Sequence, residues 1–196
     1  MKKETVTTNQ ITEGVIWKQL LLFFFPIVLG TFFQQLYNTA DTIVVGRFVS
    51  KEALAAVGGS AAQIVGLIVG FFVGLASGAS VIISQFYGAK DRTQLNRALH
   101  TAYAFSVVGS ILITALGILI APWLLELMHT PQETMADALL YLRIYFAGII
   151  FVFIYNVGSS ILRAMGDSRR PLYYLIVCSV VNIVLDLLLI LVIPLG

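Results

Sequence analysis

The chain has 196 residues, 59% hydrophobic and 11% charged, with a mean hydropathy of +0.93, whereas water-soluble domains run roughly 45–50% apolar and about 25% charged. That balance excludes a soluble globular enzyme. A net charge of +2, with basic residues at the ends of apolar runs rather than along one stripe, excludes a nucleic-acid footprint, and the one cysteine excludes a disulfide framework.

A bilayer core about 30 Å thick needs about 20 apolar residues per helix, and the sequence predicts an all-α, polytopic transmembrane bundle of five spans. Residues 1–19 form a polar cytoplasmic or interfacial segment, and residues 20–196 the bundle. Within the first segment Ile11, Val15, Ile16 and Trp17 alternate with Glu13, Lys18 and Gln19, the pattern of an interfacial lead-in with Trp17 at headgroup level.

The first span, 20–45, carries Pro26, whose missing N–H and bulky ring predict a bend near mid-membrane that can act as a hinge. Beyond it Gly30, Gln34, Tyr37, Asn38 and Asp41 follow at three- or four-residue intervals, one polar stripe on an otherwise apolar helix. The second span, 54–85, repeats Gly58, Ala62, Gly66, Gly70, Gly74 and Gly78 at every fourth position, a groove in which another helix can pack closely. The third span covers 99–125. The fourth, 139–162, holds Asn156, Ser159 and Ser160, suited to bonding a neighbouring helix or lining a cavity. The fifth, 172–193, contains Cys178, expected to serve packing, and the i,i+4 pair Asn182 and Asp186. Polar links at 46–53, 86–98, 126–138 and 163–171 hold nearly all the charge and the turn formers Gly88, Pro131, Gly166 and Pro171.

Orientation follows from the basic residues. A cytoplasmic N-terminus puts Lys2, Lys3, Lys18, Lys90, Arg92, Arg97, Arg163, Arg169 and Arg170 inside, nine of the twelve, and leaves Arg47, Lys51 and Arg143 outside.

Asp at a helix centre costs roughly 2.5–3.5 kcal/mol on insertion scales, so intramembrane carboxylates are functional candidates. Asp41 lies six residues before Arg47 and Asp186 eight before Pro194, and both spans run outward. The two acids therefore share a depth in the outer half of the membrane and can share a proton or a cation. The competing structural reading has Asp41 reaching for the outer interface and Asp186 satisfied in packing. His100 and His129 lie near opposite membrane faces, which argues against a shared metal site, and neither G-x-S-x-G nor H-E-x-x-H occurs. No catalytic residue and no cofactor is expected, and the chain is not read as an enzyme.

These residues resemble the multidrug and toxic compound extrusion transporters, within the superfamily that also holds lipid-linked oligosaccharide flippases. The resemblance rests on Pro26, Gln34-Gln35-Leu36-Tyr37-Asn38, Asp41 and Val45-Gly46-Arg47, then on Ala53-Leu54-Ala55-Ala56-Val57-Gly58. It continues in Arg163-Ala164-Met165-Gly166-Asp167 with Pro171, and in Asn182 with Leu185-Asp186. It implies a cation-coupled antiporter in the cell membrane that exports bulky, often cationic amphiphiles. Its implied architecture is two six-helix bundles around a central cavity. Residues matching Asp41, Asn182 and Asp186 are associated with H⁺ or Na⁺ coupling, so a sodium ion at these three is one expectation. Residues matching Pro26, Gln34, Tyr37, Asn38 and Asn156 line or shape the same region.

The family pattern has twelve spans, and this sequence stops at Pro194-Leu195-Gly196, directly after the fifth. The expectation is an amino-terminal portion that lacks the sixth helix and the second bundle and does not transport alone. Besides the missing bundle, the implied partners are membrane lipids and small amphiphilic or cationic substrates. The alternatives are a flippase, which calls for several cations deep within the spans, and a non-transporting assembly subunit.

Overall fold

The computed structural model describes residues 15–48 and 50–191. Parts of the interfacial lead-in (Ile11 and Glu13), Lys2, Lys3 and the end of the fifth span with Pro194 lie outside the described residues.

Six helices account for almost all of the described chain: α1 (Ile16–Phe48), α2 (Lys51–Gly58), α3 (Ser60–Gly88), α4 (Arg92–Leu127), α5 (Gln132–Ala164) and α6 (Arg169–Leu191). Among the described residues four stretches are long and apolar enough to cross a membrane: Ile16–Arg47, Ala53–Gly88, Arg92–Leu127 and Gln132–Ala164. The fourth of these contains Arg143. The fifth expected span corresponds to α6 and runs past the last described residue.

The links are much shorter than the hydropathy pattern implied. Apolar counting finds the segment that matches the hydrocarbon, but the helices continue through polar turns beyond it, and caps close several of them. Ser50 accepts from the Ala53 N–H at 2.9 Å and Asp91 from the Gln94 N–H at 3.0 Å. Helices α3, α4 and α5 end in the same Schellman-type turn, with i→i−5 backbone bonds Asp91 to Phe86 (3.1 Å), Thr130 to Leu125 (3.1 Å) and Asp167 to Leu162 (2.9 Å). The preceding residue is left-handed in each: Lys90 (φ 58°), His129 (φ 53°) and Gly166 (φ 89°).

The second span is not one helix. It breaks at Gly59, where an added Cβ would lie 2.5 Å from the Ala55 carbonyl oxygen, so the Gly58-Gly59 pair permits a close approach other residues would obstruct. By contrast α1 begins at Ile16, absorbing the rest of the lead-in, and continues through Pro26.

Helices α3, α4 and α5 pack with α2 around Phe72, Leu125, Leu142, Phe146, Ile149 and Phe153. Small residues set the spacing. Phe72 stacks on Phe153 with centroids 3.8 Å apart and abuts Gly109, while Phe146 lies over Gly117. Thr114 Oγ1 donates to the Phe146 carbonyl at 2.8 Å. Moving from Thr114–Phe146 to Tyr103–Gly158 takes eleven residues down α4 and twelve along α5, so the antiparallel pair keeps one register. Apolar side chains cover the outside, with Leu67, Leu119 and Phe151 at least three-quarters exposed, as a lipid-facing surface requires.

Within the described chain the close contacts fall on Gly30, Gly109 and Gly117 rather than on the glycines of the fourfold repeat, whose face is left open. Among the described residues nothing lies within 4 Å of a Cβ added at Gly58, Gly66, Gly70, Gly74 or Gly78, and the last four face away from the buried Ala61, Ile64, Phe72, Ala76 and Ile83 side of α3. The repeat records a bare face of the helix, whereas the contacts were hidden in isolated glycines.

Candidate functional site

α1 and α6 run parallel and pack against each other, with α1 also against α2. Their register is fixed where a Cβ on Gly30 would meet Leu175 at 3.6 Å and Leu172 at 3.8 Å. At 100° and about 1.5 Å per residue, positions seven and eleven residues further on return to within about 20° of the same face. On α1 these are Tyr37 and Asp41, and on α6 they are Asn182 and Asp186. Tyr37 therefore stands level with Asn182, and Asp41 with Asp186, all on the seam between the two helices. Each of the four is half-buried, and the two carboxylates lie within each other's electrostatic reach.

Asn182 Oδ1 is buried and accepts no hydrogen bond. An unpaired buried acceptor costs about 1–3 kcal/mol, so an oxygen held this way beside two acids suits a donor or cation arriving between them. Gln34, exposed, stands one turn before Tyr37 on the same face of α1. Asn38 flanks the seam, exposed, with Nδ2 3.5 Å from Gln35 Oε1. Among the described residues no three His, Cys, Asp or Glu side chains gather.

A third helix contributes residues that the sequence reading passed over. Tyr141 of α5 lies within electrostatic reach of Asp41, and Tyr145 within reach of Tyr37. Four residues down α1 match four along α5, as two antiparallel helices require. No Cα of α1 comes within 8 Å of α5, so these groups face one another across a gap. The signal was present as an i,i+4 tyrosine pair, but tyrosine passes unnoticed in hydropathy because its ring is apolar and only its tip polar.

Other expected site residues lie elsewhere. Asn156 shares the Tyr145 face of α5 but stands eleven residues further inward, with its Nδ2 donated to the Val152 carbonyl at 2.8 Å. Pro26 is buried four residues before Gly30, level with Pro171 in the first turn of α6, near the end of the packed pair where α6 begins. Cys178 is exposed and within reach of Tyr37, so it is not the packing residue expected.

A family model described as MatE matches residues 26–188, which contain every residue of this seam. This chain belongs to the MatE family. Two curated MatE relatives from Bacillus subtilis are the probable multidrug resistance proteins YpnP and YoeA. The first is 37% identical over 94% of this chain and 41% of its own length, the second 32% over 93% and 39%. A MOP superfamily transporter from Pyrococcus furiosus, whose description says that the reverse polarity of its binding pocket suggests a different function, superposes with a TM-score of 0.88 at 30% identity. That match covers 99% of this chain and 42% of the other. The chain thus spans about two-fifths of the length of the relatives it matches. Its long apolar helices and its family make it a multi-pass membrane protein.

Proposed function

We propose that this chain carries the ion-coupling site of a cation-coupled antiporter that exports drugs or other amphiphilic, often cationic compounds. The observation that carries the reading is the unpaired, buried Asn182 Oδ1 on the seam where Asp41 and Asp186 stand at one level. Two carboxylates in a poorly solvated site cannot both ionise cheaply, so a proton or a sodium ion between them relieves the repulsion, and Asn182 supplies another hard oxygen. Loading that site draws α1 and α6 together and unloading it separates them, which gives the bundle two states that a cation selects. Tyr37, Gln34 and Asn38 lie along the route into the seam, and Asn156 lies deeper on the facing wall. The names of the two Bacillus relatives support drug export as the coupled process. The reading involves no catalytic chemistry and no cofactor beyond the coupling ion.

The orientation is part of the proposal. The basic excess around the α3–α4 and α5–α6 turns supports a cytoplasmic N-terminus. Cysteine labelling at exposed Gln132 from outside intact cells, and at exposed Thr93 only after permeabilisation, tests it.

A second reading has a specific observation in its favour. A 30%-identical structure is described as having a reversed pocket polarity that suggests a different function, which supports keeping the flippase reading beside drug export. Efflux of a panel of cationic dyes from cells expressing this chain within a full-length transporter that includes the second bundle, with pH and Na⁺ varied independently, separates the readings. Cation-dependent dye export supports the antiporter, and its absence at normal expression favours the flippase or a non-transporting assembly subunit.

A further inference from the structure

The two rims of the bundle differ in charge. Around the α3–α4 and α5–α6 turns stand Lys90, Arg92, Arg97, Arg163, Arg169 and Arg170 against Asp91 and Asp167, while the opposite rim sets Arg47 and Lys51 against Glu52, Glu126, Glu133 and Asp137.

Both acids of the basic rim are already engaged in closing helices. Asp91 Oδ1 accepts from the Gln94 N–H, and Asp167 Oδ1 accepts from the Arg169 and Arg170 N–H groups at 3.1 Å. Asp167 Oδ2 pairs with Arg170 Nε at 3.0 Å, the one ion pair among the described residues. No described carboxylate therefore pairs with Lys90, Arg92, Arg97, Arg163 or Arg169.

Two of these cations stand at a common depth. Where Tyr103 Oη meets the Gly158 position at 3.2 Å, α4 and α5 are level; Arg97 lies six residues below on α4 and Arg163 five below on α5. Those steps are about 9 Å and 7.5 Å. Both guanidinium-bearing positions thus lie roughly 7–9 Å on the membrane side of Arg92, a depth that suits the boundary between acyl chains and headgroups. Arg163 is half-buried, with Nη2 3.4 Å from Ser160 Oγ, and exposed Tyr173 and Tyr174 follow Arg169 and Arg170 on α6. A planar guanidinium without a carboxylate, beside amphipathic aromatics at the edge of the apolar zone, matches a phosphodiester bidentately.

We propose that this basic rim, seated on Arg97 and Arg163, binds the headgroups of anionic phospholipids. The proposal rests on the inward orientation only for which leaflet supplies the lipid. Its chemistry is the same in a symmetric bilayer, so it stands or falls separately from the transport reading.

The test reconstitutes the protein in nanodiscs of mixed phosphatidylglycerol and phosphatidylcholine and measures which lipid is retained around it. Phosphatidylglycerol is expected to be enriched, with Arg163→Gln lowering the enrichment about fivefold, Arg163→Lys preserving most of it, and Arg47→Gln on the opposite rim leaving it unchanged. If Arg163→Gln does not fold, Arg97→Gln makes the same test. Equal retention of the two lipids, or equal losses from the Arg47 and Arg163 substitutions, would overturn the proposal. So would displacement of the lipid by inorganic phosphate, which would mark a site for a soluble anion.

Discussion

Asp41 and Asp186 each stand eleven residues beyond the point where Gly30 of α1 meets Leu175 of α6. Because the two helices are parallel, that one contact sets both acids at the same height on the same seam. Two substitutions of Gly30 separate packing from chemistry. The 3.6 Å and 3.8 Å clearances admit a methyl group, so Gly30→Ala is expected to keep efflux within about twofold of the original. Gly30→Leu is expected to wedge the helices apart and reduce cation-coupled efflux at least tenfold, with surface expression retained. Normal efflux in the leucine variant would detach the seam from function.

The facing tyrosines give a second expectation. Tyr141→Phe keeps the ring and removes only the hydroxyl that lies within reach of Asp41. Its effect should be a shift in the pH or Na⁺ dependence of efflux, with stability altered by less than about 1 kcal/mol. An unchanged cation dependence would make Tyr141 a packing residue only.

How legible this was differs by residue. The two aspartates announced themselves because charge is costly in a bilayer, and their common depth followed from the parallel course of two spans. The span count depended on apolar length alone. Tyr141 and Tyr145 were not legible, since nothing local marks an amphipathic ring as facing an acid on another helix. Nor was the break at Gly59, which depends on a backbone approach, or the exposure of Cys178, which depends on which neighbours cover it. The glycine repeat names a bare face of α3 that no described residue covers, because periodicity names a face and not its occupant.

Glycine substitutions test that distinction in the fold. A Cβ on Gly117 would lie 2.8 Å from the fully buried Phe146 ring, so Gly117→Ala is expected to destabilise the bundle by about 1–3 kcal/mol in thermal unfolding. Gly74→Ala meets nothing within 4 Å and is expected to be neutral or to stabilise α3 by up to about 1 kcal/mol. Equal losses at the two positions would mean that the fourfold groove is packed after all.

His129 turns the chain in the left-handed region at φ 53°, in the same type of closing turn that uses glycine at Gly166. Replacing it with glycine removes the Cβ penalty of that conformation. His129→Gly is therefore expected to raise stability by about 1 kcal/mol, read as an increase in the unfolding midpoint. A lower midpoint would show that the imidazole makes a contact worth more than the strain it carries.

The central claim is that Asp41 and Asp186 form one cation site, and a double-mutant cycle on cation-coupled efflux, with this chain carried in a full-length transporter that includes the second bundle, addresses it most directly. Asp41→Asn and Asp186→Asn, each with normal insertion in the membrane, are measured singly and together across pH and Na⁺. If the two acids share one ion, either substitution disables the site, and the double variant is expected to lose little more than either single one. Losses that multiply across the two substitutions would show two independent roles and contradict the shared site.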